Sequence, residues 1–347
     1  MTLDDLDTPS VIIDLDLMDR NIRDMAEHCK QLGIPLRVHT KSHKIPEIAH
    51  RQIAAGAVGV ACQKLGDAEV MVAAGIKDLL IPYNIVGKKK TERLTRLANR
   101  ARITVAVDSE ATARGISDQA ARDNCRVNVL IEMDTGGKRC GVQSPEAALG
   151  LAQKIAALPG LSFEGVMTYP SRPEARDFIS RTVGLIRAAG IPVNTISGGG
   201  TGHEHMAKDL GLTETRSGSY VWEGLSRIGN SDQLHEGRCP LRVLVTVVSV
   251  PAPDRAILDG GMKTFASYPP KPYGRIVEHP DAKIYGMSVE HGHVDTSACR
   301  HKFTVGERLS VIPLHQEMCL NLHDECYGYR DGKVEVVWPV AGRGKVR

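Results

Sequence analysis

Leu36-Arg37-Val38-His39-Thr40-Lys41-Ser42-His43-Lys44 decides how the chain is read. Leu36 to His39 is a short strand pattern, and it runs straight into a knot of His and Lys. Lys41 therefore stands at or just past the C-terminal end of a strand, where a side chain faces a cleft rather than a core. A lysine in that company suits nucleophilic work. A solvated basic turn is the plainer reading, and the rest of the chain must choose between them.

Working outward, the strand is the first of a series. The further strand patterns are Val58–Gln63, Asp78–Tyr83, Ile103–Asp108, Val127–Met133, Phe163–Tyr169, Asn194–Ser197 and Thr213–Tyr220. Helical patterns alternate with them at Ile45–Ala55, Asp67–Ala74, Lys89–Asn99, Glu110–Asn124, Pro145–Leu158, Pro173–Ala189 and His203–Leu210. Several stop at a glycine suited to a left-handed C-cap, among them Gly56, Gly75, Gly160, Gly190 and Gly211. Eight alternating units predict a (β/α)8 barrel. An open doubly wound sheet is the runner-up, and the lack of a GxGxxG after the first strand counts against it.

Beyond about residue 236 the pattern changes. Pro240–Val250, Arg255–Leu258, Ala282–Ser288, Arg308–Ile312 and Val334–Val340 read as strands separated by Gly, Pro and Asp turns. The expected organisation is a barrel over 10–236 and an all-β domain over 237–347. An early strand, Ser10–Asp16, followed by a helix over Asp19–Leu32, has no place in the eightfold count. It is assigned, with the rest of residues 1–16, to the β-domain.

Composition narrows the function. The net charge is +3, and the longest basic run is Lys88-Lys89-Lys90, so nucleic acid is not an implied partner. Aromatic residues make up 4%, too few for base-stacking platforms. The eight cysteines (Cys29, Cys62, Cys125, Cys140, Cys239, Cys299, Cys319, Cys326) form no CxxC and read as reduced thiols of a cytoplasmic protein. The acidic start, Met1 to Asp7, lacks the apolar core of a signal peptide, and no apolar run reaches membrane-spanning length.

In such a barrel the site lies at the C-terminal ends of the strands. Those ends read Lys41; Cys62-Gln63-Lys64; Pro82-Tyr83-Asn84; Asp108; Glu132 to Arg139; Thr168-Tyr169; Ser197 to Gly202; and Ser217 to Tyr220, whereas the strand interiors read as apolar. Ser197-Gly198-Gly199-Gly200-Thr201-Gly202 before a helix predicts an anion cup, with Gly218-Ser219-Tyr220 adding donors for the same phosphate. A flexible turn is the alternative. A phosphate cup, a strand-end lysine and an aromatic at Tyr169 together suggest pyridoxal phosphate. Arg139 is placed to face its ring nitrogen. An arginine there hands over no proton, so the ring is a weaker electron sink.

At this point the chain resembles the D-threonine aldolase and D-serine dehydratase group of the alanine racemase-type pyridoxal phosphate enzymes. The matching stretches are Arg37–Lys44, Cys62–Glu69, Arg139–Val142, Ser197–Gly202, Gly218–Tyr220, Asp259–Lys263, Glu290–Gly292 and the tail around His315. The resemblance implies Lys41 as the lysine that carries the cofactor, with Gln63, Arg139, Tyr169, Ser197, Gly199, Gly200, Thr201, Gly218, Ser219 and Tyr220 as its surroundings. It also implies a homodimer in which each β-domain completes the partner's site.

The family places a divalent metal on His-x-Cys or His-x-Asp; this chain has His315-Gln316-Glu317. On an extended strand that spacing puts both side chains on one face. A carboxylate beside the imidazole favours Mn²⁺, Mg²⁺ or Ca²⁺ over Zn²⁺. Cys319 is an alternative ligand if the strand bulges, and a polar strand without metal is the plainer reading. The expected reaction is cleavage of a D-3-hydroxy amino acid to glycine and an aldehyde, with D-threonine or 3-hydroxy-D-aspartate in view. Lys41, Tyr169 and His315 are the catalytic candidates. Dehydration to a keto acid and ammonia is the alternative on the same scaffold.

One departure bears on that choice. Family aldolases tend to carry a His six residues after the ring-side Tyr; here Tyr169 is followed by Pro-Ser-Arg-Pro-Glu-Ala. His203, His205 or a metal-bound hydroxide are the candidate bases. Arg172 is a candidate for an acidic substituent on the substrate, or a solvated helix-start residue. Racemisation would need a second base, with Tyr268, Tyr273 and Tyr285 available. A non-catalytic cofactor carrier would leave the β-domain unexplained.

Overall fold

The computed structural model describes residues 1–225, 236–266 and 273–347. Among these, packing divides the chain into two units. One comprises Met25–Lys41, Ile48–Gly218 and Lys345–Arg347; the other comprises Met1–Asp24, Ser42–Glu47 and Ser219–Gly344. The expected boundary at 236/237 adjoins residues 226–235, which lie outside the described residues, as does Tyr268.

The first unit holds a closed barrel of eight parallel strands. They are β2 (Leu36–His39), β3 (Gly59–Ala61), β4 (Asp78–Ile81), β5 (Arg102–Val107), β6 (Val127–Asp134), β7 (Leu161–Tyr169), β8 (Thr195–Gly198) and β9 (Glu214–Ser217). The pairing of Leu36 with Thr215 and of Val38 with Ser217 closes the ring. The helices α1 (Leu15–Leu32), α2 (Pro46–Ala54), α3 (Leu65–Ala73), α4 (Lys88–Ala98), α5 (Glu110–Arg122), α6 (Pro145–Ala156) and α7 (Arg176–Ala188) follow the expected alternation. Three of their starts are capped by a side chain. Ser109 and Ser144 accept the backbone N–H groups of Thr112 and Ala147, supplying acceptors to otherwise unpaired donors. Asp14 does the same for Leu17, which starts α1 four residues earlier than its apolar periodicity implies.

Two features differ from expectation. The residues after β8 form no α-helix: Glu204–Met206 is a single 3-10 turn. The strand interiors are also not uniformly apolar. A cluster of Ala61, Leu80, Ala106, Leu130 and Met167 from five successive strands is buried, but so are Arg37, Glu132, Glu214 and Arg216. Each has a partner that offsets the cost of leaving water: Arg37 pairs with Glu214 and Asp78, Glu132 with Arg139, and Arg216 donates to Ser197 and the Thr168 carbonyl. Arg37 Nε donates to both Glu214 oxygens at 3.0 and 2.9 Å, and its Nη1 donates to Asp78 at 2.7 Å.

The second unit is a nine-stranded sheet in the order β11-β14-β13-β12-β15-β10-β1-β16-β17. Its strands are β1 (Ser10–Asp14), β10 (Leu241–Ala252), β11 (Arg255–Leu258), β12 (Gly274–Ile276), β13 (Lys283–Met287), β14 (Gly292–Asp295), β15 (Arg308–Pro313), β16 (Glu325–Arg330) and β17 (Lys333–Pro339). A further pairing of β11 with β10 turns six of them into a ring. The early strand β1 lies between β10, antiparallel, and β16, parallel. Ile12 packs there with Leu6, Leu244 and Tyr329. Two short helices, α8 (Met262–Phe265) and α9 (Gln316–Leu320), interrupt the sheet. Trp222 and Trp338 are both buried, as core residues are.

Candidate active site

All eight barrel strands run parallel, so their C-terminal ends share one rim. Lys41 is exposed there, in the 3-10 turn Thr40–Ser42 that follows β2. The turn is anchored from below: Thr40 Oγ1 donates to the Ala61 carbonyl at 3.1 Å. His39 stands beside it. Its Nδ1 accepts the Lys41 backbone N–H at 3.5 Å, and its Nε2 pairs with Gln63 Oε1 at 3.1 Å. That pattern fits the neutral ring with the proton on Nε2. Burial, then the positive charges of Lys41 and Arg216, push His39 well below the usual imidazole range. Gln63 in turn donates to the Pro82 carbonyl at 3.4 Å, tying the ends of β2, β3 and β4 together.

Across the rim, the Arg139 guanidinium carbon stands 5.0 Å from the Tyr169 ring centroid. Arg139 also donates to Glu132 at 3.3 Å. Burial raises Glu132 above the usual carboxylate range, with Arg139 opposing. Tyr169 is 46% exposed.

The glycine segment is built from backbone outward. Gly199 has φ +86°, and a Cβ there would stand 2.0 Å from Thr215 Oγ1. Only glycine fits this approach. The Gly199 N–H donates to Ser171 Oγ at 2.7 Å, and the Gly202 N–H donates to Glu204 Oε2 at 2.9 Å. Glu204 also accepts the Ser217 hydroxyl at 2.6 Å, and Thr201 Oγ1 accepts the Gly218 N–H at 3.2 Å. A Cβ at Gly200 would lie 3.7 Å from His203 Nδ1 and 3.9 Å from the Tyr169 ring. The turn is thus edged by Tyr169 and His203.

Some expected donors are committed elsewhere. Ser197 is fully buried; its hydroxyl donates to Glu214 at 2.6 Å and accepts from Arg216 at 2.7 Å. The Gly202 N–H is held by Glu204, so the turn's anion-binding capacity rests on fewer amides. With only a 3-10 turn following, no helix dipole reinforces it, which corrects the expected helix N-terminus. Ser219 and Tyr220 follow Gly218 directly, in the 3-10 turn Ser219–Val221 of the second unit, with Tyr220 buried.

Arg216, Ser171 and Glu204 escape the motif reading. Arg216 is buried, donates to the Thr168 carbonyl at 2.8 Å, and is lowered by that burial to about 10 while remaining charged. A lone Arg in a short strand, Glu214-Thr-Arg-Ser217, is the signal that marks it.

The second unit carries His315 and Glu317, and their expected strand geometry is corrected. β15 ends at Pro313, and His315 is the N-cap of α9, its Nδ1 accepting the Met318 N–H at 3.3 Å. Glu317 sits in the first turn of that helix, where a carboxylate is favoured by the dipole. Cys319 is not a usable alternative ligand. It is buried, donates to the Thr264 carbonyl at 3.2 Å, and burial pushes its thiol up.

Two family models divide the chain. The alanine racemase N-terminal domain matches residues 13–224, and a putative serine dehydratase domain matches residues 240–329. The chain belongs to the D-threonine aldolase and D-serine dehydratase family of alanine racemase-type enzymes. It is 36% identical to a D-threonine aldolase of an Arthrobacter species, over 98% of this chain and 93% of that one. It is 34% identical to a 3-hydroxy-D-aspartate aldolase of Paracoccus denitrificans, with the same coverage. The crystal structure of a D-threonine aldolase from Filomicrobium marinum superposes with a TM-score of 0.92 at 34% identity, covering 100% of this chain and 98% of that one. A D-threo-3-hydroxyaspartate dehydratase variant, solved in a metal-free form, superposes at 0.86 with 29% identity and covers 98% of each chain. Members of this family use pyridoxal phosphate, and the barrel rim suits it. A glycine turn without room for a Cβ lies beside an exposed aromatic ring, with a lysine and an arginine on the same rim.

Among the described residues no helix is long and apolar enough to cross a membrane.

Proposed function

We propose that the protein is a lyase that cleaves a D-3-hydroxy amino acid to glycine and an aldehyde, using pyridoxal phosphate and a divalent metal. The observation that carries the reading is the rim itself: Lys41, the Arg139–Tyr169 pair and the Gly199–Gly202 turn stand at strand ends of one closed barrel. The full-length likeness to two aldolases of D-3-hydroxy acids supports the choice of substrate class.

Lys41 would carry the cofactor, the backbone of Gly200 and Thr201 would hold its phosphate, Tyr169 would cover its ring, and Arg139 would face the ring nitrogen. Bound there, the cofactor supplies an electron sink for the pair released when Cα–Cβ breaks. His315 and Glu317 would hold the metal, which acidifies a hydroxyl. Either ring nitrogen of His315 becomes a ligand only if the 3.3 Å cap to Met318 is given up, a loss of about 1 kcal/mol that the metal bond exceeds. A protein carboxylate and the substrate's own oxygens would complete a hard ligand set, so manganese or magnesium is favoured over zinc.

This chain's own residues do the rest. Neutral His39 takes no charge at physiological pH and so adds none beside the lysine. His203, beside the glycine turn and the Tyr169 ring, is the proposed acceptor of the substrate hydroxyl proton, in the role a histidine six residues after Tyr169 would have filled. The active form is proposed to be a cytoplasmic homodimer.

Dehydration is the second reading, favoured by the likeness to a D-threo-3-hydroxyaspartate dehydratase. There Lys41 would take the Cα proton instead. Borohydride reduction of the holoenzyme followed by peptide mapping tests the common ground. The cofactor should be fixed on Lys41, and a label on any other lysine would overturn the proposal.

A further inference from the structure

The second unit holds a cluster that the reaction does not use. His279 lies in the turn between β12 and β13, His301 in the loop between β14 and β15, and Glu307 just before β15. The two imidazoles stack with centroids 4.0 Å apart and planes 11° from parallel. Both turn Nε2 toward the same carboxylate oxygen: His301 stands 2.7 Å from Glu307 Oε1, and His279 stands 3.5 Å from it. A ligand atom from each of the three lies within 4.8 Å of the others.

The cluster is held in place. Phe303 meets both rings edge-on, at 5.0 Å from His279 and 4.9 Å from His301. The second Glu307 oxygen accepts the Thr304 N–H at 3.0 Å. The Glu307 carbonyl accepts the Val247 N–H at 2.8 Å, fixing this residue to β10. One carboxylate oxygen facing two ring nitrogens gives only His301 a good hydrogen bond; at 3.5 Å, His279 is left without one there. A cation among the three atoms would use all of them.

We propose that His279, His301 and Glu307 form a second divalent-metal site, separate from His315 and Glu317, that takes a borderline ion such as Zn²⁺ or Co²⁺. Two imidazoles and one carboxylate are the donor set such ions select, with remaining positions open to water. The side chain of His301 is 40% exposed, so ions can enter from solvent. Bound metal would clip the 279–282 turn to the 299–307 loop, reinforcing the ring contacts already between them. The site is structural, so turnover of the holoenzyme should not depend on it.

The test is equilibrium dialysis of the full-length holoenzyme against Zn²⁺, with Co²⁺ absorbance as a second readout. The wild type should bind one equivalent more than H279Q/H301Q. The cobalt bands of two nitrogens and one oxygen should vanish in that variant and persist in H315Q/E317Q. Zinc should raise the melting temperature of the wild type by several degrees more than that of H279Q/H301Q. If the double variant does not fold, H301Q alone, altered at an exposed edge, should weaken zinc by about tenfold or more. An unchanged zinc count and cobalt spectrum in the histidine variants would overturn the proposal and reduce the cluster to a surface ion pair.

Discussion

Gly199→Ala is the most informative single change in the barrel. An added Cβ would stand 2.0 Å from Thr215 Oγ1 and 3.2 Å from its Cβ, where contacts under 3.0 Å do not persist. Thr215 is fully buried. The left-handed φ of +86° adds about 1–2 kcal/mol of backbone strain for any residue with a Cβ. Overpacking adds about 1–3 kcal/mol. The change should therefore cost about 2–5 kcal/mol in stability. If the turn cradles a phosphate, cofactor affinity should fall by at least about tenfold, as loss of one charge-assisted hydrogen bond implies. Urea unfolding of the apoprotein and a spectroscopic titration with pyridoxal phosphate separate the two effects. Gly184→Ala is the control. That glycine sits exposed in α7 with nothing within 4 Å of a built Cβ, so the change should stabilise by about 0.5–1 kcal/mol. If Gly199→Ala is as harmless as Gly184→Ala, the reasoning about the turn fails.

Arg37→Met should destabilise the barrel by about 3–5 kcal/mol, because it leaves Glu214 buried without its cation; an unfolding midpoint within error of wild type would refute the pairing argument. Ser171→Ala should lose about 1 kcal/mol and loosen the cofactor several-fold without altering the fold, as read by cofactor titration and circular dichroism. His39 titrates well below 6.5 in the folded chain, so both states are neutral above that pH and no penalty exists there. Below 6.5 the unfolded chain takes up a proton that the folded chain refuses. Stability should then fall with pH by up to about 1.36 kcal/mol per unit. His39→Gln should flatten that slope in urea titrations between pH 7 and 5; an unchanged slope would locate the effect elsewhere.

Much of the fold was legible because apolar strands and capped helices alternate with little ambiguity. Leu36–His39 and Arg255–Leu258 appear with the expected bounds. The strands that escaped notice are polar or glycine-bearing. Gly292-His-Val-Asp295 and Glu325-Cys-Tyr-Gly-Tyr-Arg330 have little apolar character of their own and are strands because neighbours pair with them. Long-range pairing, not propensity, makes them so. The site was legible where a residue type announces its chemistry, as at Lys41, Arg139 and Tyr169. Arg216, Ser171 and Glu204 were not, because their roles come from partners distant in sequence. His315 and Glu317 show the limit of spacing arguments: period-two logic presumes a strand, and the histidine's own side chain caps a helix instead.

The central claim is that Cα–Cβ is the bond this protein breaks. The most direct measurement is product analysis of the holoenzyme with pyridoxal phosphate and Mn²⁺, offered D-threonine, D-serine and the threo and erythro forms of 3-hydroxy-D-aspartate. The account predicts glycine and an aldehyde in equal amounts, with no ammonia and no racemised substrate. Ammonia with a keto acid, and no glycine, would contradict it and assign the protein to dehydration.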